Sequence, residues 1–246
     1  MDFGKLQQKK EYVSSNIHLL SPEVIGNYSS AFEVEYTHNS TAIEGNTLTL
    51  METKVILEDR LSIGGKNLRE IFEVVNHATA FSYVKKCVSE SKPLSEAIVK
   101  DIHSMLMENI MLGGIYRNVD VYISGARHTP PTPNDMYRQI KNFYTDLELK
   151  NLNPVELAAW THAEFIKIHP YVDGNSRTSR LIMNYQLMAS GFMPISIPKE
   201  DRLSYFEFLE AYAIDNNLEP FTEFISALEE KQLDKYITAI NQIKNA

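Results

Sequence analysis

The sequence predicts an all-α protein, a helical bundle that carries one small β-hairpin. Apolar residues recur at helical spacing along most of the 246-residue chain. Glycine and proline are scarce, at ten residues each. One short stretch alternates apolar and polar residues in the manner of a strand. Because no repeat, low-complexity stretch or long polar linker divides the chain, we expect a single domain over residues 1–246.

Apolar stripes and capping residues place the helices in order. Two stripes lie in the first half of the chain, formed by Leu68, Ile71, Phe72 and Val75 and by Leu94, Ile98, Ile102, Met105 and Leu106. Asn153 and Pro154 are typical of an N-cap and a first helical residue, and this helix ends before Pro170. The next helix is predicted over Arg177–Ser190, with Gly191 as its C-terminal cap. Amphipathic segments follow at Ser204–Ala213, at Pro220–Lys231 and from Gln232 onward.

The strand-like stretch lies between residues 118 and 123. Val119, Val121 and Ile123 alternate with polar residues, and Ser124-Gly125 follows as a turn signal. We therefore expect a short hairpin here, beside a bundle that is otherwise helical.

Composition excludes several classes of protein. Lys and Arg number 24 and Asp and Glu 32, so the net charge is −8 and the field of the molecule disfavours nucleic-acid binding. Cys87 is the only cysteine, which rules out an internal disulfide and a thiolate zinc cage. No stretch approaches the length of a membrane span, and the first residues lack the apolar segment of a signal peptide. We expect a cytoplasmic protein.

The loop between the two central helices carries the densest cluster of chemical groups. The backbone N–H groups of Gly174, Asn175 and Ser176 precede a helix, where they can form a concave set of donors for a phosphate. Arg177 and Arg180 are three residues apart and share one helical face, so their guanidinium groups could bind further phosphate oxygens.

Two more residues of the loop suit phosphate chemistry. Asp173 offers a hard oxygen ligand for Mg²⁺ next to the phosphate donors. His169 is a natural general base for a hydroxyl nucleophile. A metal site formed by His162, His169 and Asp173 is an alternative, although His169 lies two helical turns after His162 and a proline follows it, which works against convergence on one ion.

The string from His169 to Arg180, HPYVDGNSRTSR, resembles the signature of the Fic (filamentation induced by cAMP) family, H-P-F-x-D/E-G-N-G-R-x-x-R. The resemblance covers about residues 30–230 and implies a helical core with a hairpin flap. It also implies transfer of AMP from Mg-ATP to a Ser, Thr or Tyr hydroxyl of a target protein. By position it implies a general base at His169, a magnesium ligand at Asp173, anion-binding amides at Gly174 to Ser176, a phosphate contact at Arg177 and a γ-phosphate contact at Arg180.

Two positions depart from the signature. Tyr171 replaces Phe, which should matter little unless the hydroxyl is buried without a partner. Ser176 replaces the last Gly and adds a side chain where backbone must approach phosphate, which affects the efficiency of the site or the position of the α-phosphate.

An upstream motif resembles the inhibitory helix of the same family, S/T-x-x-x-E-G/N. Ser40 and Glu44 are four residues apart, Gly45 and Asn46 follow, and the region extends over about residues 28–46. The resemblance implies that Glu44 pairs with Arg180 and inhibits the enzyme, and the order of the motifs implies the class with an N-terminal inhibitor. Read without the downstream motif, the same residues indicate a plain helix C-terminus.

Two further regions resemble the nucleotide and target contacts of the family. Residues 113–131 resemble the flap, which positions a target segment by strand addition, and four of them would lie near the nucleotide: Ser124, Gly125, Ala126 and Arg127. Tyr205 or Phe206 would contact adenine, although a core aromatic stripe is the alternative for both. The core of the domain spans about residues 50–230.

The sequence thus predicts a protein adenylyltransferase that uses ATP and Mg²⁺. Its partner is a target protein with a hydroxyl side chain, and self-modification and a homo-oligomer are compatible with the resemblance. Two alternatives stay open. The same loop could serve an enzyme that moves another phosphate-containing group or removes AMP, or it could belong to a catalytically weak regulator that binds nucleotide.

Overall fold

The computed structural model describes residues 3–245, which form ten α-helices and no β-strand. The helices are α1 (Phe3–Asn16), α2 (Pro22–Ala42), α3 (Leu50–Lys54), α4 (Leu68–Ser89), α5 (Glu96–Leu106), α6 (Pro133–Leu149), α7 (Pro154–Ile168), α8 (Asn175–Ala189), α9 (Arg202–Asp215) and α10 (Glu219–Lys244). Short 3₁₀ turns lie at Ile17–Leu19 and Lys199–Asp201, and a π turn at Val55–Asp59 follows α3. None of the helices in this part of the chain has the length and apolar character needed to cross a membrane.

The antiparallel pair α7 and α8 forms the centre of the molecule. Helix α8 carries buried side chains on all faces, including Leu181, Ile182 and Met183, as expected for a helix enclosed by others. Helices α4 and α5 pack against α8, whereas α6, α9 and α10 pack against α7. The loop that joins α7 to α8 is therefore held at both ends by the main hydrophobic core.

The all-helical prediction is confirmed, with shifts at several boundaries. Asn153 caps α7 and its side chain accepts a hydrogen bond from the backbone N–H of Val155, as the sequence predicted. Helix α8 begins at Asn175, two residues before the predicted start, because Gly174 takes a left-handed conformation and serves as its N-cap. The last two amphipathic segments form the single helix α10.

Helices α1 and α6 were not predicted from the sequence. Helix α1 buries only Leu6 and Val13 along fourteen residues, so its apolar stripe is narrow. Helix α6 begins with Thr132 as N-cap and Pro133 at its first turn, a helix-start signal that the sequence-based prediction did not use.

The predicted β-hairpin at residues 118–123 is wrong for the described structure, in which this segment is an irregular loop. A hairpin needs main-chain bonds between its two limbs, and here the returning limb bonds elsewhere. The backbone N–H of Arg127 donates to the Glu210 carboxylate, and His128 Nε2 lies 2.9 Å from the carbonyl oxygen of Lys167. Pro130 and Pro131, which follow, lack the N–H groups that a ladder requires.

Candidate active site

A cavity of about 580 Å³ opens above the N-terminus of α8. The α7–α8 loop forms its floor, the segment 123–128 covers one side, and Phe206 and Glu210 of α9 form the other side. Glu44, which follows α2, also lines it. Three elements distant in sequence thus converge on the loop that carries the signature string.

The first turn of α8 is built to expose backbone N–H groups. Gly174 has φ +78°, a left-handed conformation that favours glycine, and a Cβ there would lie 2.6 Å from Cε of Met107 and 3.2 Å from Nε2 of His103. The Asn175 side chain closes the loop, since its Nδ2 donates to the Tyr171 carbonyl and its Oδ1 accepts from the Tyr171 N–H, both at 2.9 Å. The first N–H groups of a helix have no carbonyl four residues back, so they are available to an anion.

His103 supports the loop from below, although sequence reasoning did not single it out. Its Nδ1 accepts from the Gly114 N–H at 2.8 Å, so its Nε2 donates to the Asp173 carbonyl at 2.9 Å. The ring stacks on Tyr171, with centroids 3.5 Å apart and planes within 4°. Burial lowers the pKa of His103 to about 4, so the ring is neutral and keeps this tautomer. No local motif marks this residue, because its partners are distant in sequence.

His169 ends α7 in a left-handed conformation, with φ 52°, and lines the cavity. Its Nδ1 lies 3.3 Å from the carbonyl oxygen of Ile166, a contact that favours the proton on Nδ1 and leaves Nε2 as the acceptor. Burial lowers the pKa of His169 to about 4. The ring is therefore neutral near pH 7 and able to accept a proton.

Asp173 lies between two arginines. It forms ion pairs with Arg69 of α4 and, at 3.4 Å, with Arg177, and its Oδ1 accepts from the Gly174 N–H at 2.6 Å. Burial by itself raises the pKa of Asp173, but the Arg177 charge, the Gly174 N–H and Arg69 outweigh it, so the pKa is lowered. The carboxylate is ionised and faces the cavity.

Arg177 is buried and incompletely paired. Its Nη1 lies 3.7 Å from Glu73 Oε1 and has no hydrogen-bond partner among the described residues. A buried guanidinium N–H without a partner is costly in the folded protein. Because Arg177 lines the cavity beside the first turn of α8, an anion bound there could supply the missing acceptor.

Arg180 is held by Ser40, near the end of α2, and by Glu44 in the turn that follows α2. Its Nε donates to Ser40 Oγ at 2.9 Å, its Nη2 to the Ser40 carbonyl at 2.6 Å and its Nη1 to Glu44 Oε1 at 2.9 Å. Arg180 is 1% exposed, whereas the Glu44 side chain is 30% exposed and lines the cavity. The spacing of four residues between Ser40 and Glu44 predicts one shared helical face, but α2 ends at Ala42, so Glu44 reaches Arg180 from a turn beyond the helix.

The other predicted contacts divide into two groups. Lining the cavity are Ser124, Gly125, Ala126, Asn175, Ser176 and Phe206. Tyr205 lies outside it, buried, where its hydroxyl lies 3.3 Å from Arg180 Nη1 and 2.9 Å from His162 Nε2. Arg127 does not line the cavity and pairs with Glu210, which does, and Asn46 bonds Glu73 of α4 at 3.0 Å.

The alternative metal site of His162, His169 and Asp173 finds no support, since residues 3–245 contain no cluster of three His, Cys, Asp or Glu side chains that could hold an ion. His162 is instead buried against Tyr205 and Ser179. Asp173 is thus a single carboxylate facing an anion-binding helix end. That donor set fits Mg²⁺ held by one carboxylate together with substrate phosphates and water.

The sequence and the fold match those of known proteins. Residues 93–187 match the sequence model of the Fic/DOC family, and the chain therefore contains a Fic/DOC domain. The resemblance of the signature string to that family is confirmed.

Individual relatives extend the match beyond the domain. Over 214 residues the chain is 33% identical to the Protein adenylyltransferase Fic of Drosophila grimshawi, an alignment that covers 85% of this chain and 44% of that protein. The chain thus spans less than half the length of the curated relatives that it matches. A Fic domain containing signaling protein from Bacteroides thetaiotaomicron matches 98% of both chains, with a TM-score of 0.87 and 26% identity. A fragment of Fic-1 from C. elegans matches 97% of this chain and 72% of its own length, with a TM-score of 0.82 and 28% identity.

Proposed function

We propose that the chain is a protein adenylyltransferase that transfers AMP from Mg-ATP to a hydroxyl side chain of a target protein or of itself. The observation that carries the proposal is the convergence of a neutral His169, an ionised Asp173 and the N-terminus of α8 on one cavity. The names of the curated relatives support the same activity.

The phosphate chain of ATP would bind at the first turn of α8. The helix N-terminus and Nη1 of Arg177, which has no hydrogen-bond partner among the described residues, would supply donors for phosphate oxygens. Asp173 would hold Mg²⁺, which neutralises phosphate charge when it is bound. Phosphoryl transfer depends mainly on positioning and on charge neutralisation, and these groups provide both.

His169 would act as the general base. The target hydroxyl oxygen attacks the α-phosphorus of ATP, its proton passes to Nε2 of His169, and the bond to pyrophosphate breaks. The low pKa of His169 keeps the ring neutral before the reaction, so no prior deprotonation is needed.

The loop 123–126 would position the target. Its backbone is exposed beside the cavity and makes no strand pairing within the described chain. An extended target segment could therefore bond to its main-chain groups, with little dependence on the target's side chains.

Glu44 would inhibit the enzyme. Its carboxylate occupies Nη1 of Arg180, the arginine that the signature assigns to the γ-phosphate. The carboxylate and the phosphate are both anions that seek the same guanidinium, so the ion pair competes with productive nucleotide binding.

Intact-mass spectrometry after incubation with Mg-ATP tests the proposal. We expect a gain of one AMP mass that is larger in Glu44→Gly than in the wild type and absent when His169→Ala is added. His18→Ala, which replaces an exposed histidine, is the matched control and should leave transfer unchanged.

Four outcomes would overturn parts of this scheme. A phosphate-sized gain would replace adenylylation by phosphorylation. Unchanged transfer in His169→Ala would exclude the proposed base, and an unchanged or lower rate in Glu44→Gly would exclude the inhibitory pair. If Glu44→Gly binds the nucleotide but transfers AMP neither to itself nor to any protein of a lysate supplied as a source of targets, the chain is a nucleotide-binding regulator.

A further inference from the structure

The carboxylate of Asp173 already forms an ion pair with a cationic side chain from α4. Arg69, at the start of α4, forms an ion pair with Oδ2 of Asp173 through its Nη2. The same guanidinium donates from Nε to Oε1 of Glu73 at 3.2 Å, one helical turn further along α4. Arg69 lies 104 residues before Asp173 and belongs to none of the motifs considered above.

Arg69 is held in this place by a ring of alternating charges. Glu73 Oε1 lies 3.7 Å from Arg177 Nη1, and Arg177 Nη2 lies 3.4 Å from Asp173 Oδ1. Asn46 donates to the second oxygen of Glu73 at 3.0 Å, which fixes that carboxylate. The segment that places Glu44 on Arg180 thus also supports, through Asn46 and Glu73, the arginine that occupies Asp173.

We infer that Arg69 is a resident counter-cation of Asp173 that competes with the divalent ion, so that it sets the Mg²⁺ concentration at which the site fills. The inference rests on the proposed function, which assigns the metal to Asp173. Two cations cannot share one small carboxylate face without repulsion, so Arg69 leaves Oδ2 when the metal binds. It keeps Glu73 as a partner, because that pair lies within α4.

The solvent exposure of the Arg69–Asp173 pair limits how much the pair changes the Mg²⁺ requirement. The side chain of Arg69 is 53% exposed and that of Asp173 35%, so water screens the pair. Pairs of this kind change an equilibrium by a few-fold and not by orders of magnitude. Arg69 therefore raises the metal requirement without blocking the site.

Calorimetric titration with a non-hydrolysable ATP analogue, repeated over a series of Mg²⁺ concentrations, measures this requirement. All proteins carry Glu44→Gly, so that the Glu44–Arg180 pair is absent throughout. We expect Arg69→Gln to lower the half-saturating Mg²⁺ concentration by about threefold to fivefold. Arg69→Lys, which keeps the charge, should stay close to the parent protein.

Two controls separate competition from general effects. Arg138→Gln removes another exposed, ion-paired arginine, on α6, and should leave the Mg²⁺ requirement unchanged. In EDTA, Arg69→Gln should bind the analogue no better than the parent, because removal of a cation by itself does not favour an anion.

The outcomes distinguish this inference from the proposed function. If Asp173→Asn abolishes the Mg²⁺ dependence while Arg69→Gln matches the parent or needs more Mg²⁺, the competition is excluded and the metal assignment stands. If Asp173→Asn retains the Mg²⁺ dependence, Asp173 is not the metal ligand. The competition and the metal assignment within the proposed function then both fail.

Discussion

Tyr171 stands where the family signature has phenylalanine, and the two side chains differ only in the tyrosine hydroxyl. The ring stacks on His103 and lies within 5.4 Å of the Tyr116 ring, so the aromatic face is used for packing. The hydroxyl is buried and has no hydrogen-bond partner among the described residues. Burial raises the pKa of Tyr171 far above its ordinary value, so the phenol stays neutral. The side chain therefore provides packing, while its polar atom is a cost.

We predict that Tyr171→Phe stabilises the protein. Removal of a buried polar atom that lacks a partner should raise the free energy of unfolding by about 1 kcal/mol. Urea denaturation followed by circular dichroism measures the change.

Tyr185→Phe is the matched control for this prediction. Tyr185 is equally buried, but its hydroxyl donates to the Lys92 carbonyl at 2.5 Å. Its removal should lower the free energy of unfolding by about 1 kcal/mol, because it leaves that carbonyl with one bond fewer. Equal effects of the two substitutions would show that the Tyr171 hydroxyl has a partner in solution.

At the scale of the element, α8 determines the geometry of the site through its two ends. Gly174 precedes the helix with φ +78° and Gly191 follows it with φ +77°. Both glycines allow a left-handed turn, but their surroundings differ. A Cβ on Gly174 would meet Met107 and His103, whereas a Cβ on Gly191 would meet no atom within 4 Å. Only the glycine at the N-terminal end is packed against neighbouring side chains, which belong to α5 and its C-cap and support the loop.

We predict that Gly174→Ala is more damaging than Gly191→Ala. Each substitution costs about 1 kcal/mol through the left-handed backbone. In Gly174→Ala the Met107 methyl group can move aside, but the His103 ring, which bonds the Asp173 carbonyl, must also shift, so we expect a further cost of about 1 kcal/mol and weaker binding of an ATP analogue.

Thermal unfolding and calorimetric titration compare the two variants. The analogue should bind Gly191→Ala with the affinity of the wild type. Equal stability and equal binding in both variants would mean that the first turn of α8 tolerates a side chain at residue 174.

At the scale of the molecule, buried ionisable groups connect stability to pH. Burial lowers the pKa values of His103 and His169 to about 4, and burial together with nearby arginines lowers those of His77 and His162 well below the ordinary value. These histidines bind protons more readily in the unfolded chain. Glu229 has the opposite effect, because burial raises its pKa to about 8 and the folded protein holds its proton at pH 7.

The sign of the pH dependence follows from these shifts. Between pH 6.5 and pH 4 the unfolded chain binds protons at four histidines that stay neutral in the folded protein, so stability falls as the pH falls. At pH 5 His103 and His169, whose pKa values in the folded protein are about 4, each contribute about 2 kcal/mol to this loss. Glu229 stabilises the folded protein as the pH falls from 8 to 4.5, but one carboxyl does not offset four imidazoles.

We predict a lower melting temperature at pH 5 than at pH 7, and a smaller difference for His77→Gln. The glutamine removes one of the four groups and can retain a hydrogen bond with Thr37, which lies 3.1 Å from His77 Nδ1. His18→Gln, at an exposed position, is the control and should keep the pH dependence of the wild type. Identical pH dependence in both variants would show that His77 is protonated in the folded protein.

The sequence by itself determined the helices that have local signals and the chemistry of the central loop. Asn153 and Pro154 start α7, and the string from His169 to Arg180 places a base, a carboxylate and an anion-binding helix end within twelve residues. These features depend on neighbours in the chain, so the order of the residues is enough to predict them. Helix α1, with only two buried residues, lacks such a signal and depends on packing against α10.

Only the tertiary structure decided which groups meet across long distances in sequence. The Glu44–Arg180 contact was expected from a resemblance, and the fold shows that it forms from a turn beyond α2. No pattern in the sequence indicated that Arg69 occupies Asp173 or that His103 supports the loop. The failure of the hairpin has the same physical reason, since bonds to α7 and α9 compete with local strand pairing, and their geometry is set by the packing of the helices.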